Sequence, residues 1–153
     1  GIFKISNAIN FGLPMTDVYS SALPGTPSSA SYDPISNWLY IGNKSPGSTR
    51  GSVSIFNTTQ MQYMDSTFNF AVGESDPAAM ALRTVHGQPN PYLYVAFRGG
   101  PHIVSLKPPL DDAHEWEALG YATLPAEYNS IADGLVAGDY VYFATNQQRS
   151  KIF

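Results

Sequence analysis

A short motif occurs three times in this chain at intervals of close to fifty residues, and this repeat constrains the fold more than any other feature. Each copy carries a turn residue, an aromatic residue, Leu or Val, a tyrosine, a β-forming residue, and then Gly or Ala. The shared tyrosines are separated by 54 and 48 positions. A repeat at nearly constant spacing indicates one supersecondary unit used several times. The copies are residues 37–43 (NWLYIGN), 91–97 (PYLYVAF) and 139–145 (DYVYFAT).

Other segments recur in a fixed order around the motif. Runs of Val, Ile, Tyr, Phe and Trp, separated by Gly, Pro, Asp and Asn, predict short strands joined by turns. Residues 111–116 are the one mild helical candidate, and we interpret them as a loop that leads into a strand. Beyond the motif, strands are predicted at 28–32, 79–82 and 130–134 (small residues), at 1–4, 51–56, 102–106 and 150–153 (apolar residues), and at 15–21, 62–70 and 116–123 (outer strands).

Four strands in every 40 to 50 residues are typical of the blades of a β-propeller. We therefore predict an all-β chain that forms a β-propeller segment of about three four-stranded blades. The small-residue strand of each blade would lie innermost, and the aromatic residues would fill the space between blades. A β-sandwich of about ten short strands is the alternative. Residues 1–153 would form one segment, with the end of one blade at 1–24, blades at 25–75 and 76–126, and the start of a further blade at 127–153.

About three blades are too few to close a ring, since propellers need roughly four to eight. An open arc leaves two apolar faces uncovered, which favours association. The expected partners are therefore other blades, either in the same longer chain or in identical copies of this one. In the second case the predicted strands at 1–6 and 15–21 would complete the last blade of a partner. The chain begins without Met and both its ends fall within predicted strands, which fits either case.

Residues 27–43, followed by 51–57, resemble one blade of the YVTN and lactonase-like propellers. The shared pattern is a proline with small residues, Asp-Pro, a turn, an aliphatic-Tyr-aliphatic strand, and then a Gly-x-Val-x-aliphatic-Phe strand. Residues 140–153 resemble repeats of extracellular propellers. Because the resemblance concerns scaffold positions, it implies a fold and assigns no catalytic residue.

The composition excludes several classes of protein. Hydrophobic residues make up 43% of the chain and its net charge is −4, which argues against disorder and against a basic surface for nucleic acid. The chain has no cysteine, so it has no disulfide and no zinc–thiolate site. No stretch approaches the roughly 20 apolar residues that a membrane-spanning helix needs.

No set of residues forms a recognisable catalytic motif, and enzymatic activity is therefore left open. Three carboxylates near the starts of the predicted inner strands are candidates for acid–base work, although turn and cap roles explain them as well, and an arginine in the loop after the second motif is a weak candidate for holding an anion. They are Glu74, Asp76, Arg98 and Asp133. No metal site is predicted from His86, His102 and His114, because none has the spacing of a ligand pair. Asp111 and Asp112 could contribute to a Ca²⁺ site, but a solvated loop is the simpler interpretation.

Two triplets fit the acceptor pattern for N-glycosylation, at Asn43 and Asn57, and they favour an extracellular or cell-surface location. The leading hypothesis is a structural or interaction module of a secreted or surface repeat propeller. One alternative is a fragment of a lactonase-like hydrolase. Another is a carbohydrate-binding propeller in which exposed aromatic side chains, such as Trp116 or Tyr128, stack against a sugar.

Overall fold

The fold is all-β, as the sequence predicts. The computed structural model describes the backbone of residues 2–4 and 16–19, and residues 25–45, 49–84, 91–111, 114–125, 128 and 130–145 in full. No α-helix occurs in these ranges, so none of them could span a membrane as a helix. The strands are β1 (Ile2–Lys4), β2 (Thr16–Tyr19), β3 (Thr26–Asp33), β4 (Trp38–Lys44), β5 (Ser52–Asn57), β6 (Gln62–Asn69), β7 (Ala79–Arg83), β8 (Tyr92–Ala96), β9 (His102–Lys107), β10 (Glu117–Thr123), β11 (Ile131–Ala137) and β12 (Tyr140–Thr145).

The strands form antiparallel sheets in sequence order. The first sheet has the order β3-β4-β5-β6 and the second has the order β7-β8-β9-β10. Strands β11 and β12 form a two-stranded third sheet, and β1 pairs only with β2 among the described strands. Residues 111 and 114–116 belong to a loop before β10, as predicted, whereas the predicted strand at 150–153 lies outside the described residues.

The turn between β3 and β4 shows how local sequence sets the path of the first sheet. The carboxylate of Asp33 accepts hydrogen bonds from the backbone amide of Ile35 (3.0 Å) and from the hydroxyl of Ser36 (2.6 Å). Asn37 closes the turn with a φ of 60°, a left-handed conformation that Asn tolerates better than most residues. The turn therefore places Trp38 opposite Asp33 and fixes the register of the two strands.

Two apolar clusters lie between successive sheets, so that the second sheet is covered on both faces. Alternate residues of β8 enter different clusters, as a period of two residues requires. The cluster between the first and second sheets contains Trp38, Tyr40, Val53, Ile55, Met64, Phe70, Met80, Leu93, Val95, Phe97, Val104 and Leu106. The cluster between the second and third sheets contains Ala79, Ala81, Ala96, Leu124, Ile131 and Phe143, with Tyr94, Ile103, Val136 and Val141 packed against it.

The repeated tyrosine points toward the following sheet in both complete units. Tyr40 lies in the cluster between the first and second sheets, and Tyr94 packs against the cluster between the second and third. The small-residue strands are neighbours, because β7 contacts both β3 and β11. This stacking is compatible with an arc of a propeller and also with a layered sandwich, so the division of the chain into blades stays a prediction.

Candidate functional site

Glu74, the first of the predicted candidates, stabilises the backbone between β6 and β7. Its side chain is buried, and one carboxylate oxygen accepts a hydrogen bond of 3.0 Å from the amide of Ala71. Its backbone carbonyl accepts a second bond, of 2.7 Å, from the amide of Gly51 next to β5. These contacts give Glu74 a structural role, because they stabilise the turn between β6 and β7.

Asp76 links the first and second sheets through its charge. Its side chain is only 6% exposed, and Oδ2 lies 3.8 Å from Lys44 Nζ at the end of β4 and 3.8 Å from Arg98 Nη1 just after β8. The backbone carbonyl of Asp76 also accepts a hydrogen bond of 2.9 Å from the amide of Arg98. The second carboxylate oxygen, Oδ1, is buried without a hydrogen-bond partner. Both cations are more than half exposed, so solvent weakens their attraction for the carboxylate.

Asp133 occupies a different environment from the other candidates. It is exposed on β11, and its side chain accepts a hydrogen bond of 2.8 Å from the amide of Gly134. The structure therefore brings Asp76 and Arg98 together, with Glu74 close by in sequence, and gives Asp133 no ion pair with them among the described residues. A catalytic role for these four side chains stays a prediction.

The histidines, and the acidic loop that could contribute to a Ca²⁺ site, have the following surroundings. His114 Nδ1 lies 2.6 Å from Asp111 Oδ1, and His102 Nδ1 lies 3.4 Å from the hydroxyl of Thr123. His86 and Asp112 lie outside the described residues. Within the ranges that the structure describes, no three His, Asp or Glu side chains are placed to hold one metal ion.

The two predicted glycosylation acceptors differ in accessibility. Asn43 is 1% exposed, and its amide nitrogen donates hydrogen bonds to the carbonyl of Ile41 and the hydroxyl of Ser54. The folded chain therefore does not present this amide to solvent. Asn57 is the last residue of β5, and its side-chain oxygen accepts hydrogen bonds of 3.0 Å from the amides of Thr59 and Gln60 in the turn that follows. Modification of Asn57 stays a prediction.

A polar groove lies between β6 and the loop that precedes β10. Its volume is about 370 Å³, which is near the lower end of the range for small-molecule sites. The ring of Trp116 forms part of the groove, 6.0 Å from Phe68 and 6.2 Å from Tyr40 between ring centroids. The ring of Trp116 is half-buried, so it is less exposed than the predicted stacking platform, and its Nε1 is buried without an acceptor. The lining residues are Asp65, Ser66, Thr67, Phe68, Asn69, Glu115 and Trp116.

The third sheet has one covered face and one apolar face exposed to solvent. Val141 and Phe143 of β12 pack toward the second sheet, so alternation places Tyr140 and Tyr142 on the opposite face. Leu135 of β11 pairs with Tyr142 there, and the two tyrosine rings lie 6.3 Å apart. Leu135 is 58% exposed and Tyr140 is 69% exposed. We name this surface, formed by Leu135, Tyr140 and Tyr142, the forward face of the third sheet.

Comparison with known proteins supports the all-β fold and does not assign the chain to a family. No protein-family model matches the chain, and no curated protein matches it. A solved structure of a glucose dehydrogenase is similar, with a TM-score of 0.52 and 15% sequence identity. The similarity covers 82% of this chain and 39% of that one, so this chain spans well under half the length of its structural neighbour. At this identity the likeness concerns the all-β architecture alone.

The site residues that sequence reasoning missed are those that depend on contacts between sheets. Asp65 and Asn69 reach the groove from β6, and Glu115 reaches it from a loop about fifty residues later in the chain. Lys44, at the end of β4 in the first sheet, approaches Asp76 in the same way from a distant part of the chain. No local motif marks any of these residues, because their neighbours are set by how the two sheets stack.

Proposed function

We propose that this chain is a structural and interaction module of a secreted or cell-surface repeat protein, and that it works by docking a further sheet of the same kind. The forward face of the third sheet carries this proposal. In the first two sheets the corresponding face, marked by Tyr40 and Tyr94, is covered by the next sheet along the chain. In the third sheet it is open, and large exposed apolar patches commonly mark interaction sites.

The energetic gain from covering this face is substantial. Fully burying a large apolar side chain contributes roughly 1.5–3 kcal/mol, and Leu135 and Tyr140 are each more than half exposed. Covering both would therefore contribute on the order of 2–4 kcal/mol before the cost of association. The placement of the predicted catalytic candidates supports a non-catalytic role, since Asp76 is covered and Asp133 stands apart from it.

The test is to place a charge on the forward face and measure association by analytical ultracentrifugation over a range of concentrations. We expect the unmodified chain to associate, and Leu135→Lys to weaken that association. Ile35→Lys is the matched control, because Ile35 is 70% exposed in the turn between β3 and β4. Circular dichroism checks that each variant is folded. A chain that stays monomeric, and that Leu135→Lys leaves unchanged, would refute the proposal.

The groove beside Trp116 supports carbohydrate binding as a second candidate function. It combines an indole ring with carboxylate, amide and hydroxyl side chains, which suits a neutral ligand that has both apolar faces and hydroxyl groups. The structural neighbour is named for an enzyme that acts on glucose. Glucose and short glucose oligomers are therefore the first ligands to test, with tryptophan fluorescence as the signal.

A matched pair of variants makes this test specific. Trp116→Ala should abolish binding, measured by calorimetry because that variant loses the fluorophore. Tyr121→Ala should leave binding unchanged, since Tyr121 is 58% exposed on β10 and does not line the groove. Equal binding by both variants would place the sugar elsewhere, and no binding by the unmodified chain would remove this candidate.

A further inference from the structure

The groove beside Trp116 has an unbalanced set of charges. Its described lining residues include two carboxylates and no Lys, Arg or His. Asp65 reaches the groove from β6 and Glu115 from the loop before β10, and both residues are exposed. Neither forms an ion pair with a described residue. The groove therefore offers two accessible carboxylates that lack a cation.

Two basic side chains line an adjoining groove, which shares Glu115 with the first. Lys107 Nζ lies 3.5 Å from a carboxylate oxygen of Glu117, and His114 Nδ1 lies 2.6 Å from Asp111 Oδ1. Each of these basic groups therefore has a carboxylate partner of its own. They leave the two carboxylates of the first groove available to a cation that a ligand brings.

The other lining residues suit a ligand that joins a cation to a sugar ring. The face of an aromatic ring attracts an ammonium group, and the indole of Trp116 does so better than the phenyl ring of Phe68. An indole also packs against the apolar face of a sugar. Ser66, Thr67 and Asn69 add hydroxyl and amide groups, which can donate to and accept from the hydroxyls of a sugar.

We propose that the groove beside Trp116 binds an amino sugar, with the protonated amine held by Asp65 and Glu115. This inference rests on the second candidate function, because it names the ligand class of the same groove. Charge-assisted hydrogen bonds from an ammonium group to carboxylates are stronger than those between neutral groups. The two carboxylates therefore favour an amino sugar over the neutral sugar of the same shape.

Titrations with three small molecules, followed by tryptophan fluorescence at about pH 6, test this preference. Glucosamine carries both the sugar ring and the amine. Glucose is the matched neutral probe, because it has a hydroxyl where glucosamine has the amine. Ethanolamine is the matched cation without a ring. We expect glucosamine to bind about five- to tenfold more tightly than either of the others at low salt.

Salt and two substitutions show whether the groove's own charges cause the preference. Raising the salt from about 20 mM to about 500 mM should bring glucosamine to within about twofold of glucose. The double variant Asp65→Asn, Glu115→Gln keeps the size and polarity of both side chains, and should abolish the preference while leaving glucose binding within about twofold. Asp139→Asn is the matched control, because this carboxylate is 92% exposed and pairs with Arg83 outside the groove. It should leave the preference unchanged.

Equal binding of glucose and glucosamine would overturn this inference and leave carbohydrate binding standing. Ethanolamine that binds as tightly as glucosamine would also overturn it, since the groove would then recognise the cation without the sugar. The same holds if the double variant keeps the preference or if Asp139→Asn loses it. If neither sugar binds the unmodified chain, the inference and the second candidate function are both wrong.

Discussion

Replacing Gly42 by alanine tests how closely the first and second sheets approach each other. In the repeat, Gly42 occupies the position of Ala96 and Ala144, so an alignment of the three copies would class Gly42→Ala as harmless. The structure predicts the opposite. A Cβ atom at Gly42 would lie 2.5 Å from the hydroxyl oxygen of Ser29 and 2.9 Å from the carbonyl oxygen of Pro77. Both distances are shorter than a Cβ atom can tolerate, so neighbouring atoms would have to shift. Pro77 belongs to the segment that leads into the second sheet.

The expected loss of stability follows from these contacts. Overpacking of this kind typically costs about 1–3 kcal/mol. The hydroxyl groups of Ser28 and Ser29 both donate to the carbonyl of Pro77, and displacing one of these bonds would cost roughly 0.5–1.5 kcal/mol more. Replacing Gly by Ala reduces the entropy of the unfolded chain, which offsets about 0.4–1 kcal/mol. We therefore expect Gly42→Ala to lower the free energy of unfolding by about 1–3 kcal/mol.

Urea denaturation followed by tryptophan fluorescence measures this loss, with Trp38 as a buried reporter within the cluster between the first and second sheets. With a denaturant slope of about 2 kcal/mol per molar urea, the midpoint should fall by roughly 0.5–1.5 M. Gly120→Ala is the matched control, because the nearest atom to its Cβ would be 3.7 Å away and the change should be neutral or slightly stabilising. An unchanged midpoint for Gly42→Ala, at an unchanged slope, would refute the argument from close approach.

Three further predictions concern the core, one tyrosine and the buried carboxylate. Leu93→Ala, at a fully buried position between two sheets, should lower the free energy of unfolding by about 2–5 kcal/mol. Leu119→Ala, at a position 40% exposed, should cost less than about 1 kcal/mol in the same urea titration. Burial raises the pKa of Tyr40 well above its ordinary value, so the folded chain keeps this hydroxyl protonated at a pH where the unfolded chain ionises it. The stability that this difference provides is fully present below about pH 10. Above that, the free energy of unfolding should fall by up to about 1.4 kcal/mol per pH unit. Urea midpoints from pH 9 to pH 11.5 should show this slope, and Tyr40→Phe should reduce it; an unchanged slope would contradict the assignment. Asp76→Asn removes the charge that faces two half-exposed cations at 3.8 Å and should cost about 1 kcal/mol, whereas a loss above about 3 kcal/mol would show that these ion pairs are stronger than their geometry indicates.

The strands and their order could be predicted from the sequence because they depend on local patterns. The motif around Tyr94 is a short run of β-forming residues bounded by turn residues, which predicts a strand, and strand geometry then places Leu93 and Val95 in one cluster and Tyr94 against the other. Asp33 and Asn37 likewise specify their turn through their own side chains. These features need only a few neighbouring residues.

The candidate sites could be predicted only in part, because their chemistry depends on which side chains the stacked sheets bring together. The sequence identified Asp76 and Trp116 as polar or aromatic candidates, but it did not show that Asp76 is covered between two cations or that the Trp116 ring is half-buried. Burial and ion pairing depend on residues far away in the chain. Such contacts leave no local pattern.

The sequence by itself determined that this chain is built from repeated strands, because strand propensity and turn residues act over a few positions. Only the tertiary structure decided which face of each repeat is covered. Tyr40, Tyr94 and Tyr142 hold the same place in the motif, yet Tyr40 is completely buried, Tyr94 packs against the third sheet, and Tyr142 lies on an open face. The physical reason is that burial depends on whether a further sheet stacks on that face, and the motif is the same in either case.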